Sequence, residues 1–283
     1  MNEIFSTNKE CIRKLDLIFI DRIYKSTKNS LVYFGLPSQE MGDVLLWKDY
    51  LKTILAVEYG DFREDNTYIR QHNLMLTAFK NGIVNKLVLY RGDIDDIILQ
   101  ENDTQGVRLN LPLDLINLDY SSGFIRNDIK RLEAIKKIFR YQKTRSKSEF
   151  IMFISVNLKH DPAILRQYFS KAREQAETAD QDLCSRIDSL LDDSISSEIT
   201  RLKVFVLSII KSYSALENYL CAMNKPIFYL GNRDTPMLHF SFHFRLSSVP
   251  ISPPVNKDIL KVCIDKAILV IENGELNETP YCD

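Results

Sequence analysis

The chain has 283 residues, of which 45% are hydrophobic and 27% are charged, a composition typical of globular proteins with a substantial buried core. Its 37 basic and 38 acidic side chains give a formal net charge of -1. This balance excludes a global field that attracts polyanions, so any nucleic-acid contact requires a local basic patch.

Cysteine usage and the absence of apolar runs indicate a cytoplasmic protein. The cysteines are too widely scattered for the closely spaced pairs of zinc sites or redox dithiols, and we expect free thiols in a reducing compartment. No apolar stretch approaches the roughly 20 residues that cross a bilayer. The start of the chain lacks the basic and apolar pattern of a secretion signal, so we expect no membrane contact. The five cysteines are Cys11, Cys184, Cys221, Cys263 and Cys282.

The first part of the sequence predicts helices that alternate with strands. Apolar residues at helical spacing predict the helices, and short β-branched or aromatic runs predict the strands. In chain order we predict a helix at 8–26, a strand at 31–34, a helix at 40–51, a strand at 53–59, a helix at 66–83 and a strand at 86–93. Strands separated by helices favour a parallel sheet.

The rest of the sequence continues this alternation and then departs from it. We predict a strand at 113–120, a helix at 127–143, a strand at 149–158, a long helical region at 161–223, a hairpin at 225–246 and a final helix at 257–273. The region 161–223 is longer than one crossover helix requires, so we interpret it as a helical insertion or lid that offers a surface for a protein partner. The fold class that follows is a single α/β domain over 1–283. It has a mostly parallel sheet and a C-terminal antiparallel hairpin.

The segment "LHFSFHF" in the hairpin alternates aromatic and polar side chains. His239, Ser241 and His243 share one face of this strand, which we expect to be solvated or covered by a helix. The two histidines could together ligate a metal ion, but no third ligand with suitable spacing accompanies them. We therefore predict no metal site.

The carboxyl ends of the predicted parallel strands supply the candidate binding residues. Ligands of open α/β sheets bind outside these ends, where loops and helix N-termini converge. A carboxylate there can accept two hydrogen bonds from a diol, and a glycine lets the backbone approach a ligand. In strand order the candidates are Gly35 and Pro37, then Glu58 and Tyr59, then Gly92 and Asp93, then Asp119 and Tyr120.

This order of strand-end residues resembles the S-adenosylmethionine-dependent methyltransferases with a Rossmann-like fold. The resemblance covers residues 30–158 and 226–246 and implies S-adenosylmethionine as the cofactor. It implies that the loop with Gly35 approaches the methionine part, that Glu58 holds the ribose hydroxyls and that Asp93 contacts adenine. The implied cofactor site is completed by Pro37, Tyr59 and Gly92.

The segment "NLDY", residues 117–120, is loosely similar to the Asn/Asp-Pro-Pro-Tyr-like segment that several of these families carry after the fourth strand. The resemblance implies that Asp119 is a base or an orienting group for the methyl acceptor and that Tyr120 is a stacking wall. The turn "FGLPSQEMG" contains no Gly-x-Gly. This departure keeps open an alternative, a catalytically inactive interaction or assembly subunit of the same fold.

The segment 130–147 is the strongest local basic patch. Its lysines and arginines predict contact with RNA or DNA phosphates, and the alternative is the solvated face of a crossover helix. The sequence contains no phosphate-binding Gly-x-x-x-x-Gly-Lys-Ser/Thr loop, no Gly-x-Gly-x-x-Gly fingerprint and no Gly-x-Ser-x-Gly elbow. These absences disfavour nucleotide hydrolases, dehydrogenases and serine hydrolases.

Overall fold

A computed structural model describes residues 7–25, 28, 30–58, 66–120, 123–124, 129–158, 162–176, 180–191, 195–231, 234–251 and 256–276. The helices are α1 Thr7–Tyr24, α2 Gly42–Trp47, α3 Asn66–Lys80, α4 Ile94–Gln100, α5 Lys130–Thr144, α6 Pro162–Ala176, α7 Gln181–Leu190, α8 Ile195–Leu216 and α9 Asn256–Asp265, with a 3-10 turn at Val84–Lys86. The strands are β1 Leu31–Gly35, β2 Leu51–Glu58, β3 Leu87–Arg91, β4 Leu115–Tyr120, β5 Glu149–Asn157, β6 Tyr219–Met223, β7 Ile227–Leu230, β8 Pro236–Leu246, β9 Leu269–Glu272 and β10 Glu275–Leu276.

The first five strands form the parallel part of one sheet, in the spatial order β3, β2, β1, β4, β5. The chain runs outward from β1 to β3 on one side and then returns to β4 on the other side of β1. A doubly wound sheet reverses its winding at such a point, and ligands bind in the crevice there. The predicted α/β class with a mostly parallel sheet is confirmed.

The remaining strands extend the sheet beyond β5. β8 is antiparallel to β5 from Glu149 opposite Arg245 to Asn157 opposite Met237, and β7 and β8 form the predicted hairpin. β6 and β7 both pair with β8 on the side away from β5 and are separated by residues 224–226. Pro226 lies in this gap and has no backbone N–H to donate to β8. β9 then pairs in parallel with β7.

Helices cover both faces of the sheet. On one face α1, α2 and α3 bury a cluster that includes Phe19, Trp47 and Phe153. The other face packs against α4 to α9 around a larger apolar cluster. β5 lies inside the sheet and is buried along nearly its whole length, which explains its continuous run of apolar residues.

The helical region after β5 differs from its predicted bounds. The helices end at Leu216, and the predicted helical residues 219–223 form β6. α8 is not a lid, because Leu202, Phe205 and Ile210 are buried in the main core. Likewise, the predicted final helix at 257–273 ends at Asp265, and its last residues form β9. Among the described helices, none is both long and apolar enough to cross a bilayer.

Candidate functional site

A cavity of about 740 Å³ opens above the carboxyl ends of the parallel strands. It continues past the switch point between β1 and β4 to the turn between β7 and β8. Its volume lies in the range of small-molecule and cofactor pockets. The cavity is lined by Lys9, Leu36, Ser38, Val57, Glu58, Arg70, Gly92, Asp93, Ile94, Asp119, Tyr120, Arg131, Tyr229, Gly231, Thr235 and Met237.

Glu58 brings a carboxylate to the cavity at the end of β2. Its side chain is only 12% exposed, and the Arg70 guanidinium lies 3.9 Å away, at the outer limit of an ion pair. Burial raises the pKa of Glu58, and Arg70 opposes this shift. The carboxylate is thus held at the wall of the cavity with acceptor capacity for a ligand hydroxyl.

Gly92 and Asp93 form the wall above β3. Gly92 has a φ of +133°, and a Cβ there would lie 3.1 Å from the Thr104 side chain. The Asp93 carboxylate caps α4 by accepting from the backbone N–H groups of Asp95 at 2.9 Å and Asp96 at 3.3 Å. Lys130 lies 3.3 Å from the same carboxylate. Asp93 therefore fixes the start of α4 as well as lining the cavity.

The other predicted cofactor residues are less directly placed. Gly35 does not line the large cavity, and a Cβ on it would lie 2.3 Å from the Asn117 carbonyl oxygen. Its lack of a side chain is explained by the close approach of β1 to β4. Pro37 does not line the large cavity and instead lines a smaller cavity next to it. Tyr59 lies outside the described residues.

Asp119 and Tyr120, at the end of β4, both line the large cavity. Asp119 accepts a hydrogen bond at 2.6 Å from Lys9 of α1, and the Asp119 carboxylate raises the pKa of Lys9. The Tyr120 hydroxyl donates to Asp95 at 2.9 Å, and the Arg131 guanidinium lies 3.7 Å from the centre of the Tyr120 ring.

A small polar cavity of about 30 Å³ lies next to the large one, with room for an ordered water. Both cavities are lined by Lys9, Leu36, Ser38, Asp119 and Tyr229.

Asp43 of α2 also lines this small cavity. It accepts from the Tyr33 hydroxyl at 3.0 Å and from the Asn117 amide at 2.6 Å through Oδ2. Its Oδ1 is buried without a partner. Burial raises the pKa of Asp43, and Arg13 opposes this shift.

The polar face of β8 is covered by α1, so of the two predicted alternatives the helix-covered one is correct. His239 and Ser241 are buried there against Asp16. His243 bonds to Glu149 at 2.6 Å through Nε2. In the described part of the chain, no group of three or more histidine, cysteine, aspartate or glutamate residues is arranged to hold a metal ion.

Several residues of the site were not identified from the sequence. Lys9 and Asp16 belong to α1, which is far in sequence from the strand ends that they contact. Asp95 and Arg131 belong to helices on the opposite face of the sheet, and they meet beneath Tyr120 at 3.2 Å. The local sequence signal for this part of the site is the "GDIDD" segment after β3. An acidic residue before a helical run indicates a helix N-cap, which places these acidic side chains at the start of α4.

No protein-family model and no curated protein matches this sequence. Structures that are similar to it include the O-methyltransferase TomG from Streptomyces achromogenes in complex with SAM, at 10% identity over 83% of this chain and 80% of that chain, with a TM-score of 0.43. The O-methyltransferase from Bacillus cereus in complex with SAH matches at 9% identity over 86% and 92% of the two chains, with a TM-score of 0.41. A precorrin-6y C5,15-methyltransferase from Geobacter metallireducens matches at 9% identity over 82% and 85%, with a TM-score of 0.40.

At such identities and TM-scores, this likeness alone assigns no activity to the chain. The strand order carries the structural conclusion. Five parallel strands wound in two directions from β1, followed by the antiparallel β8 beside β5, form the Rossmann-like α/β architecture that the sequence predicted.

Proposed function

We propose that the chain is an S-adenosylmethionine-dependent methyltransferase. The observation that carries the proposal is the large cavity, which joins the ends of β2, β3 and β4 through Glu58, Asp93 and Asp119. When bound, the cofactor would supply an electrophilic methyl group on a sulfonium. The residues of this chain would bind it, orient the acceptor and manage the acceptor's proton.

The cavity residues fit the cofactor in charge and shape. The Glu58 carboxylate is mostly buried at the cavity wall, and Arg70 lies 3.9 Å away. Such a carboxylate can accept two hydrogen bonds from a ribose diol. Val57 and Ile94 line the same cavity and offer apolar surface to a planar base. Gly92 leaves the wall free of a side chain between them.

On the acceptor side, the contacts favour orientation over proton abstraction. Lys9 already engages the Asp119 carboxylate in an ion pair at 2.6 Å, which favours a role for Asp119 as a hydrogen-bond acceptor. Tyr120 donates to Asp95, and burial, with the Asp95 carboxylate, raises the pKa of Tyr120 well above the ordinary value. Asp119 would therefore orient the acceptor, and Tyr120 would form a wall beside it.

Calorimetry with S-adenosylmethionine and S-adenosylhomocysteine tests the proposal. Wild type is expected to bind both, and Glu58→Gln to bind about tenfold more weakly because a charge-assisted hydrogen bond becomes a neutral one. Glu133→Gln on the exposed face of α5 is the matched control, with unchanged affinity. Absence of binding by wild type, or equal affinities of wild type and Glu58→Gln, would contradict the cofactor site.

The nature of the acceptor stays a prediction, and the basic segment gives little support to RNA or DNA. Most of its cations form ion pairs with carboxylates of the same chain. These cations are Lys130, Arg131, Lys137, Arg140, Lys143, Arg145 and Lys147. Such pairing lowers the local positive field that phosphates would meet.

A catalytically inactive interaction or assembly subunit is the second candidate. The observation that favours it is the Lys9–Asp119 ion pair at 2.6 Å, which already engages the carboxylate nearest the proposed acceptor. Protein binding through residues 161–223 stays a prediction. The apolar face of α8 is buried in the core and is therefore not available to a partner. Failure to bind either cofactor form in the calorimetry would favour this candidate.

A further inference from the structure

The helix α3 is apolar on its outward face as well as on the face that packs against the sheet. Its inward residues Leu74 and Ala78 are buried in the cluster that α1 and α2 also cover. On the outward face, Phe79 is 70% exposed and Ile69 is 55% exposed. A surface helix of a globular protein normally places polar side chains outward, so α3 departs from the usual pattern.

The exposed apolar side chains of α3 lie on one side of the helix. Residues that are three, four or seven positions apart share a helix face. Ile69 and Leu76 are seven positions apart, Leu76 and Phe79 are three apart, and Met75 and Phe79 are four apart. From Ile69 to Phe79 the helix rises by about 15 Å. The following exposed residues are therefore one surface, the α3 stripe: Ile69, Met75, Leu76 and Phe79.

The α3 stripe has the features of an interaction surface. Single exposed apolar residues are normal, whereas a contiguous apolar patch with a polar rim marks a site of interaction. Phenylalanine and methionine are also enriched in protein interfaces relative to the rest of the surface. The four residues of the stripe line neither the large nor the small cavity. The proposed cofactor site therefore gives them no role.

The charges beside the α3 stripe are positive. α3 carries Arg70 near one end of the stripe and Lys80 at the other, and it contains no aspartate or glutamate. Lys80 is exposed, and Arg70 is half-exposed with Glu58 at 3.9 Å, the outer limit of an ion pair. His72 is exposed within the stripe and adds no negative charge. A partner that covers the stripe therefore meets a positive rim.

We propose that the α3 stripe is the docking surface for an amphipathic helix of another protein, with a leucine-type apolar face and aspartate or glutamate on its flanks. A helix of about three turns matches the length of the stripe and can pack along it ridges into grooves. Carboxylates on the partner would face Arg70 and Lys80, which sets the direction of the partner helix. The proposal holds whether or not the chain binds S-adenosylmethionine.

A second copy of this chain fits the stripe less well. In a two-fold contact between antiparallel copies of α3, Arg70 of one copy lies beside Lys80 of the other. Like charges placed side by side oppose association. An anionic membrane is also disfavoured, because helices that lie on membranes carry a strongly charged polar face and α3 has only these two cations besides His72.

Fluorescence anisotropy with a labelled synthetic peptide tests the proposal. The probe is a helical peptide of about 15 residues with a leucine face and glutamate flanks, and a second peptide has lysine in place of every glutamate. The full chain is expected to bind the glutamate peptide about tenfold more tightly than the lysine peptide, with a smaller difference at high salt. Phe79→Ala should weaken binding of the glutamate peptide about tenfold, and Lys80→Glu about threefold.

Val262→Ala on α9 is the matched control. Val262 is an exposed apolar residue, and α9 packs on the opposite face of the sheet from α3. This variant should bind the glutamate peptide as wild type does. Circular dichroism of Phe79→Ala should match wild type because Phe79 is exposed, which separates loss of binding from loss of folding.

Absence of binding to the glutamate peptide would overturn the proposal, and so would equal binding by wild type and Phe79→Ala. A wild-type dimer in analytical ultracentrifugation that Phe79→Ala converts to a monomer would instead identify a second copy as the occupant. Sedimentation with vesicles of phosphatidylserine and phosphatidylcholine, lost in Phe79→Ala, would identify a membrane surface. Phe79→Ala should keep the wild-type affinity for S-adenosylhomocysteine, because the stripe lies outside both cavities.

Discussion

Gly35 lies so close to the backbone of Asn117 that a Cβ at this position would be 2.3 Å from the Asn117 carbonyl oxygen. The neighbouring atom is backbone in a central strand and cannot move aside. Gly35→Ala is therefore expected to lower the free energy of unfolding by about 3 kcal/mol, measured by urea denaturation. Gly82→Ala, at a φ of +69° with no atom within 4 Å, should cost only about 1 kcal/mol. Equal losses in the two variants would show that β1 and β4 tolerate separation.

Replacement of Arg131 should lower the free energy of unfolding, because the buried Asp95 carboxylate loses its cationic partner. The two side chains form an ion pair at 3.2 Å and are 7% and 5% exposed. Arg131→Gln leaves a buried carboxylate without its cation, so we expect a loss of about 3 kcal/mol in unfolding free energy. Arg140→Gln, which removes an exposed partner of Glu217, should cost less than about 1 kcal/mol. Similar denaturation midpoints for both variants would refute this difference.

Lys203 should make stability rise at alkaline pH. Burial lowers its pKa from 10.5 to about 8, while its Nζ donates to the carbonyls of Ile264 and Lys266. Because the unfolded chain holds this proton more strongly, the unfolded state binds more protons between these two values. The free energy of unfolding therefore increases with pH across that window, by at most about 3 kcal/mol.

Denaturation of wild type and Lys203→Met at several pH values checks this slope. The stability difference between them should shift in favour of wild type as the pH rises through 8 and should level off above 10.5, where both states are neutral. Lys257→Met, which alters an exposed lysine, should keep the wild-type slope. A slope that survives in Lys203→Met must come from another group.

The basic segment 130–147 should contribute little to nucleic-acid binding. Lys137 is paired with Glu101 at 2.8 Å and Arg140 with Glu217 at 3.4 Å, so few counterions would be released on contact with phosphates. A variant with glutamine at Lys136, Lys137 and Arg140 is expected to match wild type in RNA affinity and salt slope by fluorescence anisotropy. A weaker affinity with a shallower slope would instead establish the predicted patch.

The sequence was sufficient for the parallel strands because each is a short apolar run with its own boundary. β6 was missed because Tyr219 follows α8 after only the turn at Glu217 and Asn218, so the apolar pattern continues without a visible break. β9 has four residues, and the helical pattern of α9 runs into it. Neither element is stable alone, and both exist through pairing with β8 or β7.

The difference between local and distant contacts also explains which residues of the site could be predicted from the sequence. Glu58, Asp93 and Asp119 were chosen as candidates because each lies within two residues of the end of a strand. Lys9 is 110 residues from Asp119 in the chain, and Asp16 is 223 residues from His239. A pattern within one segment carries no information about such pairs.

The position of α1 has a consequence for the order in which the protein assembles. Asn8 accepts from the Gly274 backbone N–H, 266 residues away, and donates to the Leu230 carbonyl. During synthesis the first helix must wait for the last strands before it can form these bonds, and closing so long a loop is slow. Asp16 can therefore reach its partner His239 only after β8 has been made, so the parallel sheet can form before its polar site is complete.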